Sequence, residues 1–130
     1  MPYLNWKNST VNGKMSSHST LEQELEIVLN VEQSQQLADL LAASFAENFE
    51  LRVDLPKNWA IFWKIRSDES RVLLAHPQEG EWVATAALES SHAKLLTDHL
   101  SSAVSGTTFS LGEIGIVGGV SNVDIRVRIA

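Results

Sequence analysis

The sequence contains no cysteine. Disulfide frameworks, cysteine-ligated metal sites and thiol catalysis are therefore excluded as classes of function. The first ten residues, MPYLNWKNST, lack the apolar segment of a secretory signal. No apolar run approaches the roughly 18 residues that a membrane-spanning helix needs. These absences together predict a cytoplasmic protein that does not act at a membrane.

A phosphate-binding motif is also missing, although more than half of the seven glycines lie close together near the C-terminus. Gly112, Gly115, Gly118 and Gly119 have a spacing that matches neither the P-loop nor the dinucleotide fingerprint. The residues after them alternate between apolar and polar, which is typical of a strand and not of a helix. We therefore predict a hairpin with a β-bulge at Gly112 or Gly115, and no bound nucleotide or other cofactor.

Histidines are few and do not have the spacing of metal ligands. His92 and His99 are two helical turns apart, about 10.5 Å along the axis, whereas zinc ligands lie about 2 Å from the ion. His76, just before Pro77, is the histidine best placed to line a cleft. Its position in the sequence assigns it no Ser or Asp partner. We predict no metal site and no catalytic residue.

With 44% hydrophobic residues, the chain of 130 residues is able to bury the core of one domain. We place this domain at residues 20–130 and predict a mobile polar tail at residues 1–19. Tyr3, Leu4 and Trp6 are the exception, and we expect them to dock on the domain or on a second copy. The formal net charge of −6 disfavours nucleic acid as a partner.

Hydrophobic periodicity predicts an α+β fold. Two amphipathic helices are expected at residues 31–47 and 90–104, the first with a capping box of Asn30 and Gln33. Strands are expected at residues 25–29, 49–55, 59–66, 71–76 and 81–88, followed by the C-terminal hairpin.

The short turns favour a single, mostly antiparallel sheet of six to seven strands with both helices on one face. In this arrangement four leucines of the helices bury against four strand residues. The leucines are Leu37, Leu41, Leu96 and Leu100, and the strand residues are Leu51, Trp63, Ile65 and Val127.

The two halves of the chain are similar to each other. The spacing of Leu29, Leu37 and Leu41 recurs about sixty residues later, which is consistent with a duplicated β-α-β-β-β unit. Two such units in one chain resemble the architecture of the vicinal-oxygen-chelate (glyoxalase and bleomycin-resistance) superfamily. The resemblance implies a metal-dependent enzyme with histidine and glutamate ligands in each half. The residues available as stand-ins are Glu24 or Glu26, His76, Glu81 and Asp124.

Basic and aromatic side chains on the predicted strands are the candidate binding residues. The basic ones alternate with apolar residues, and this pattern predicts either a solvated face of cross-strand ion pairs or a surface for anions and acidic peptides. The tryptophans are interpreted as core, with a ligand pocket or a dimer seam as the alternative. The candidates are Arg52, Lys64, Arg66, Arg126, Arg128, Trp59, Trp63 and Trp82.

We predict a non-catalytic binding or assembly module that acts through an exposed sheet face or edge and forms a two-fold homodimer. The C-terminal strand 123–129 is the expected edge, because it has no acidic residue after Asp124. Two alternatives stay open. One is the small metal-dependent enzyme described above, and the other is a chaperone or immunity-type protein that binds a basic partner through an acidic surface.

Overall fold

The computed structural model describes residues 3–6, 10–14, 23–43, 50–56, 58–66, 71–78, 80–111, 117–118 and 123–130. Its fold is α+β, as predicted. The elements follow in the order β1 (Tyr3–Asn5), β2 (Thr10–Lys14), β3 (Gln23–Leu29), α1 (Val31–Ala43), β4 (Glu50–Leu55), β5 (Trp59–Arg66), β6 (Arg71–Gln78), β7 (Glu81–Glu89), α2 (Ser90–Ser101), β8 (Thr108–Ser110), β9 (Val117–Gly118) and β10 (Val123–Ile129).

The strands form two mixed sheets. Sheet A has the order β1-β4-β5-β7-β6-β9, and sheet B has the order β2-β3-β10-β8. The prediction of a single, mostly antiparallel sheet is therefore wrong. The error has a physical cause. The pairs β3–β10 and β5–β7 are parallel and join strands that are not consecutive in the chain, and the length of a turn predicts only the pairing of consecutive strands.

Each sheet combines strands from both halves of the chain in the same order. In sheet A, β4 and β5 of the first half continue into β7 and β6 of the second half. In sheet B, β8 and β10 of the second half continue into β3 and β2 of the first half. The junction between the halves is a parallel pair in both sheets, β5–β7 in one and β10–β3 in the other. The two sheets are thus equivalent in topology.

The register of the strands agrees with this equivalence. Ile65 of β5 lies opposite Leu88 of β7, and Ile129 of β10 lies opposite Leu29 of β3. Counting back along each strand makes Trp63 the equivalent of Val127. The helices match as well: α1 has one further buried residue, Ala38, and its other three buried positions correspond to the three of α2. These are Ser34, Leu37 and Leu41 in α1 and Ala93, Leu96 and Leu100 in α2.

The two helices pack on each other, α1 also on β3 and α2 also on β7 and β5. Inside this helix pair the Ser34 hydroxyl donates a hydrogen bond of 2.6 Å to the carbonyl oxygen of Leu100. The inner faces of both sheets and the inner sides of both helices form one hydrophobic cluster. All eight residues that the sequence assigned to the core are buried members of this cluster: Leu37, Leu41, Leu51, Trp63, Ile65, Leu96, Leu100 and Val127.

Polar side chains cap the start of α1 and the end of α2. The predicted capping box of α1 is confirmed, since Asn30 Oδ1 accepts from the Gln33 amide at 2.7 Å and Gln33 Oε1 from the Asn30 amide at 3.0 Å. Helix α2 ends at Ser101, earlier than expected. The hydroxyls of Ser101 and Ser102 both bind the carbonyl oxygen of Asp98 there, at 3.2 and 2.7 Å. The predicted residues 44–47 of α1 lie outside the described residues.

The segment expected to be a mobile tail contains two strands. Strand β1 pairs in parallel with β4, and β2 pairs antiparallel with β3. The physical reason at β1 is the spacing of Leu4 and Trp6, which places both side chains on one face of an extended segment. Their exposed fractions are 7% and 5%, so the arm contributes to the core.

The C-terminal strand β10 lies inside sheet B and not at its edge. Strand β3 pairs with it on one side and β8 on the other. The antiparallel β8–β10 pair matches the predicted hairpin, whereas Gly112, Gly115 and Gly119, and with them the predicted bulge, lie outside the described residues. The expectation that β10 offers a free edge is therefore wrong, because the parallel partner β3 comes from the other end of the chain.

Candidate binding surface

The candidate binding residues lie in three places: the outer face of sheet A, the outer face of sheet B and the hydrophobic core. Arg52, Lys64 and Arg66 alternate with the inner-face residues of sheet A and so belong to its outer face. Arg126 and Arg128 hold the corresponding positions on sheet B, where both side chains are exposed. For Arg66 the strand position is described, opposite Glu89, and the side chain is not.

Trp59 and Trp63 lie on the inner face of sheet A, opposite to Arg52 and Lys64. Trp59 and Trp63 are 7% and 2% exposed and belong to the core, as the preferred interpretation has it. Trp82 is located by its strand position only, directly opposite Trp59. The indole Nε1–H of Trp63 is buried and has no acceptor within the described part of the chain. A buried, unpaired N–H of this kind costs about 1–3 kcal/mol.

Arg52 is the centre of a group of interacting side chains on the outer face of sheet A. Its Nε donates to Asp54 Oδ1 at 2.8 Å, and its Nη2 donates to Glu81 Oε2 at 2.8 Å. The guanidinium carbon lies 5.4 Å from the ring centre of Phe62, the residue opposite Arg52 on the next strand. We call Tyr3, Arg52, Asp54, Phe62 and Glu81 the Arg52 cluster.

Tyr3 extends the Arg52 cluster to the edge of the sheet. It lies opposite Arg52 on β1, and its hydroxyl donates a hydrogen bond of 2.5 Å to Asp54 Oδ2. Both carboxylate oxygens of Asp54 therefore have a donor. Because Tyr3 is 53% exposed, the cluster is accessible at this end.

These contacts shift two pKa values. The hydrogen bond to Asp54 raises the pKa of the Tyr3 hydroxyl above its ordinary value of 10.0, since ionisation would place a phenolate against a carboxylate. The hydrogen bond to the same carboxylate raises the pKa of the Arg52 guanidinium, which keeps its charge at every accessible pH. The Arg52 cluster is thus a set of mutually satisfied charges.

Small residues surround the Arg52 cluster on the outer face of sheet A. Ala60, Val83 and Ala87 have exposed fractions of 0%, 4% and 2%, yet they are not part of the main core cluster. Ala60 lies opposite Asp54 and carries only a methyl group. We infer that this leaves room for Arg52 to pass over β5 and reach Glu81 on β7.

The outer face of sheet B has different side chains at the equivalent positions. The row Arg52–Phe62–Thr85 of sheet A corresponds to the row Ser110–Arg126–Glu26 of sheet B. On sheet B, Arg128 Nε lies 3.5 Å from Glu26 Oε1, with 47% and 32% of the two side chains exposed. This one exposed ion pair fits the solvated face that the alternation of charges predicts, and the further pairs of that face stay a prediction.

His76 lies in an irregular part of β6. The register of β6 against β7 shifts between Ala75 and Gln78, so that His76 and Pro77 together oppose Trp82. Proline has no amide to donate to a ladder, and this accounts for a β-bulge at that point. The position of His76 is described only at the level of its backbone, and the cleft predicted for it stays a prediction.

No group of three or more histidine, aspartate or glutamate side chains converges on a metal position within the described ranges. Two of the stand-ins implied by the vicinal-oxygen-chelate resemblance are bound to arginines on different sheets: Glu26 to Arg128 and Glu81 to Arg52. Neither of the two described helices has the length and apolar composition needed to cross a membrane.

Cross-strand ion pairs around the arginines were predicted, whereas Tyr3 and Phe62 were not among the candidate binding residues. Phe62 is an aromatic residue on the face of β5 that carries the charged Lys64 and Arg66, and this break in the pattern is the one available indication. Comparison of the chain with protein-family models, with curated proteins and with solved structures gives no significant match.

Proposed function

We propose that the protein is a non-catalytic assembly module that forms a two-fold homodimer through the outer face of sheet A, with the Arg52 cluster at the seam. The observation that supports this best is the difference between two equivalent faces. Where sheet B carries Arg126 and Glu26, sheet A carries Phe62 and Thr85 among small buried residues. Aromatic residues and arginine are enriched in protein interfaces, and other charged residues are depleted at their centres.

The charges of the Arg52 cluster suit a self-complementary contact. One arginine and two carboxylates lie on one face, so a two-fold contact in which the clusters are offset from the axis would set the arginine of each copy beside a carboxylate of the other. The two hydrogen bonds from Arg52 to carboxylates also fix its side chain before binding. Fixing a long side chain in advance lowers the entropy lost on association.

The alternative of a metal-dependent enzyme is less well supported. It requires that carboxylates of both halves converge on one ion, whereas Glu26 and Glu81 are engaged by arginines on separate sheets. A partner other than a second copy, such as a basic protein, would bind the partly exposed carboxylates of Glu26 and Glu81. We also infer that the two halves arose from one duplicated unit, because topology, register and buried helix positions agree.

The test compares two substitutions at equivalent positions. Light scattering over a micromolar concentration series should give twice the chain mass of 14.3 kDa for the unmodified protein. Phe62→Glu should weaken dimerisation by about 100-fold, the effect typical of a central interface residue. Arg126→Glu, the matched control on sheet B, should leave the dimer intact.

Circular dichroism must show that both variants are folded. A monomer mass for the unmodified chain at high micromolar concentration would refute the dimer. Equal association of the Phe62→Glu and unmodified chains would exclude sheet A as the seam.

A further inference from the structure

The Arg52 cluster begins at the N-terminal arm, residues 3–6, on the edge of sheet A. The Tyr3 hydroxyl donates to Asp54 Oδ2 at 2.5 Å, and Arg52 Nε donates to the other oxygen of the same carboxylate at 2.8 Å. Arg52 Nη2 then donates to Glu81 Oε2 at 2.8 Å. These contacts run from β1 through β4 and over β5 to β7. Asp54 thus connects the arm to Arg52.

The arm is anchored on its own chain by its backbone and by two core side chains. Strand β1 pairs in parallel with β4, and the Trp6 amide donates to the Asp54 carbonyl oxygen at 2.8 Å. Leu4 and Trp6 belong to the hydrophobic core cluster, whereas Tyr3 is 53% exposed on the outer face of sheet A. Because successive side chains of a strand point to opposite faces, the packing of Leu4 and Trp6 in the core sets the position of Tyr3 outside it.

Sheet A departs from the repeated arrangement in two respects, and the two meet at Tyr3. Strand β4 carries β1 on its outer edge, whereas β8, the equivalent of β4 in sheet B, has no such neighbour within the described residues. Ser110 of β8 takes the position of Arg52, and the ion pair of sheet B is the exposed contact of 3.5 Å between Arg128 and Glu26. The arm and the Arg52 cluster thus occur on the same sheet and in contact, which favours a common role for them.

We infer that the arm, docked on β4 of its own chain, prepares sheet A for the dimerisation proposed above, on which this inference rests. Tyr3 is then a positioning residue that acts through Asp54 on Arg52. Its hydroxyl and Arg52 Nε each engage one oxygen of Asp54, so the carboxylate is held from both sides. Without the hydroxyl the carboxylate would turn more easily about its last side-chain bond, and Arg52 would be held less firmly before a partner binds. Side chains that become ordered only on binding raise the entropic cost of association.

Tyr3→Phe tests the positioning role in the full chain, because it keeps the ring and removes the hydroxyl. The dissociation constant of the dimer, measured by light scattering over a dilution series, should rise about tenfold, an effect within the range of a lost hydrogen bond to a charged group. Thr108→Val, the control, removes an exposed hydroxyl from the edge strand of sheet B and should leave the constant unchanged. Equal constants for the unmodified and Tyr3→Phe chains would overturn the inference and leave the dimer standing. A monomer mass for the unmodified chain would refute the dimer itself.

The pH dependence of dimerisation separates a positioning role from a purely structural one. The charged groups that act on the Tyr3 hydroxyl are Asp54 and Arg52 of β4 and Glu81 of β7. The hydrogen bond to Asp54 raises the pKa of Tyr3 above 10.0, so this bond is intact below pH 10 and is lost as the pH rises through the pKa of the folded state. Over that range the dissociation constant of the unmodified dimer should rise more steeply than that of Tyr3→Phe, which has no phenol to ionise. Lysines ionise in both chains, so the difference between the two profiles reports Tyr3. Parallel profiles would refute the positioning role.

Discussion

Four strands of sheet A, β4-β5-β7-β6, have the same order and register as β8-β10-β3-β2 of sheet B, but the outer faces of the two sheets differ in chemistry. Sheet A has Phe62 and small residues around one ion-paired arginine, and sheet B has the exposed Arg126 and Arg128 beside Glu26. The inner faces of both sheets contribute to one core and are constrained by its packing. The outer faces lie outside this core cluster, and their side chains differ at equivalent positions.

The inner faces of the two sheets are equivalent in position but not in the size of their side chains. In sheet A the large Trp63 lies opposite the small Ala86, whereas in sheet B Val127 lies opposite Ile27. A large residue beside a small one fills about the same space as two residues of middle size. Protein interiors tolerate such exchanges when the total volume is kept, so the two sheets accommodate different sequences in one core.

The largest effect is expected where the two halves are most alike. Leu41 of α1 and Leu100 of α2 are equivalent and fully buried. Each Leu→Ala change should lower the free energy of unfolding by about 2–5 kcal/mol, since it removes buried methyl groups and leaves a cavity. Urea denaturation of the two variants is the measurement. A large loss for one and a negligible loss for the other would break the equivalence of the helices.

A smaller effect is expected from the arginines of the two outer faces, and here the sheets should differ. Arg52→Ala removes the cation that Asp54 and Glu81 share, and Asp54 is only 9% exposed. The change should therefore lower the free energy of unfolding by about 1–3 kcal/mol. Arg128→Ala breaks an exposed pair at 3.5 Å and should cost less than about 0.5 kcal/mol. Equal losses in urea denaturation would show that the Arg52 cluster is an ordinary surface ion pair.

The helix starts differ between the halves and provide a third comparison. Asn30 forms the capping box of α1, while its equivalent Glu89 makes no capping hydrogen bond to α2. Asn30→Ala should lower the free energy of unfolding by about 1 kcal/mol, because the Gln33 amide loses its side-chain acceptor. Glu89→Ala should lower it much less. Thermal denaturation of both variants, followed by circular dichroism at 222 nm, measures the difference.

The comparison also shows what the sequence was able to predict. Local patterns predicted the two helices, the seven strands β3 to β8 and β10, and the core leucines, because periodicity reports which side of an element is buried. Periodicity does not report which strand lies beside which. The parallel β3–β10 pair joins residues from opposite ends of the chain, and no local feature of Val123–Ile129 indicates β3 as its neighbour.

The candidate surface was predictable only in part, because periodicity reports the face of a strand and not its neighbours. Arg52 and its acidic partners alternate along strands and were recognisable as an ion-paired set. The position of Phe62 under Arg52 depends on the β4–β5 register, and that of Tyr3 depends on β1 binding to β4. Both are consequences of tertiary pairing, which explains why neither residue was among the candidates.

The smallest expected effect is a shift in the titration of Tyr3, and it tests the edge of sheet A that has no described counterpart in sheet B. Tyr3 is the only tyrosine in the chain, so tyrosinate absorbance at 295 nm reports this residue alone. Its midpoint should lie above 10.0, because the hydrogen bond to Asp54 favours the neutral phenol. Because the pKa of Tyr3 is raised in the folded state, the contribution of the Tyr3–Asp54 hydrogen bond to folding stability is fully present below pH 10. It is lost as the pH rises through the pKa of the folded state. Asp54→Asn should return the midpoint towards 10. An unshifted midpoint in the unmodified protein would place Tyr3 away from Asp54 and so contradict the docking of β1 on β4.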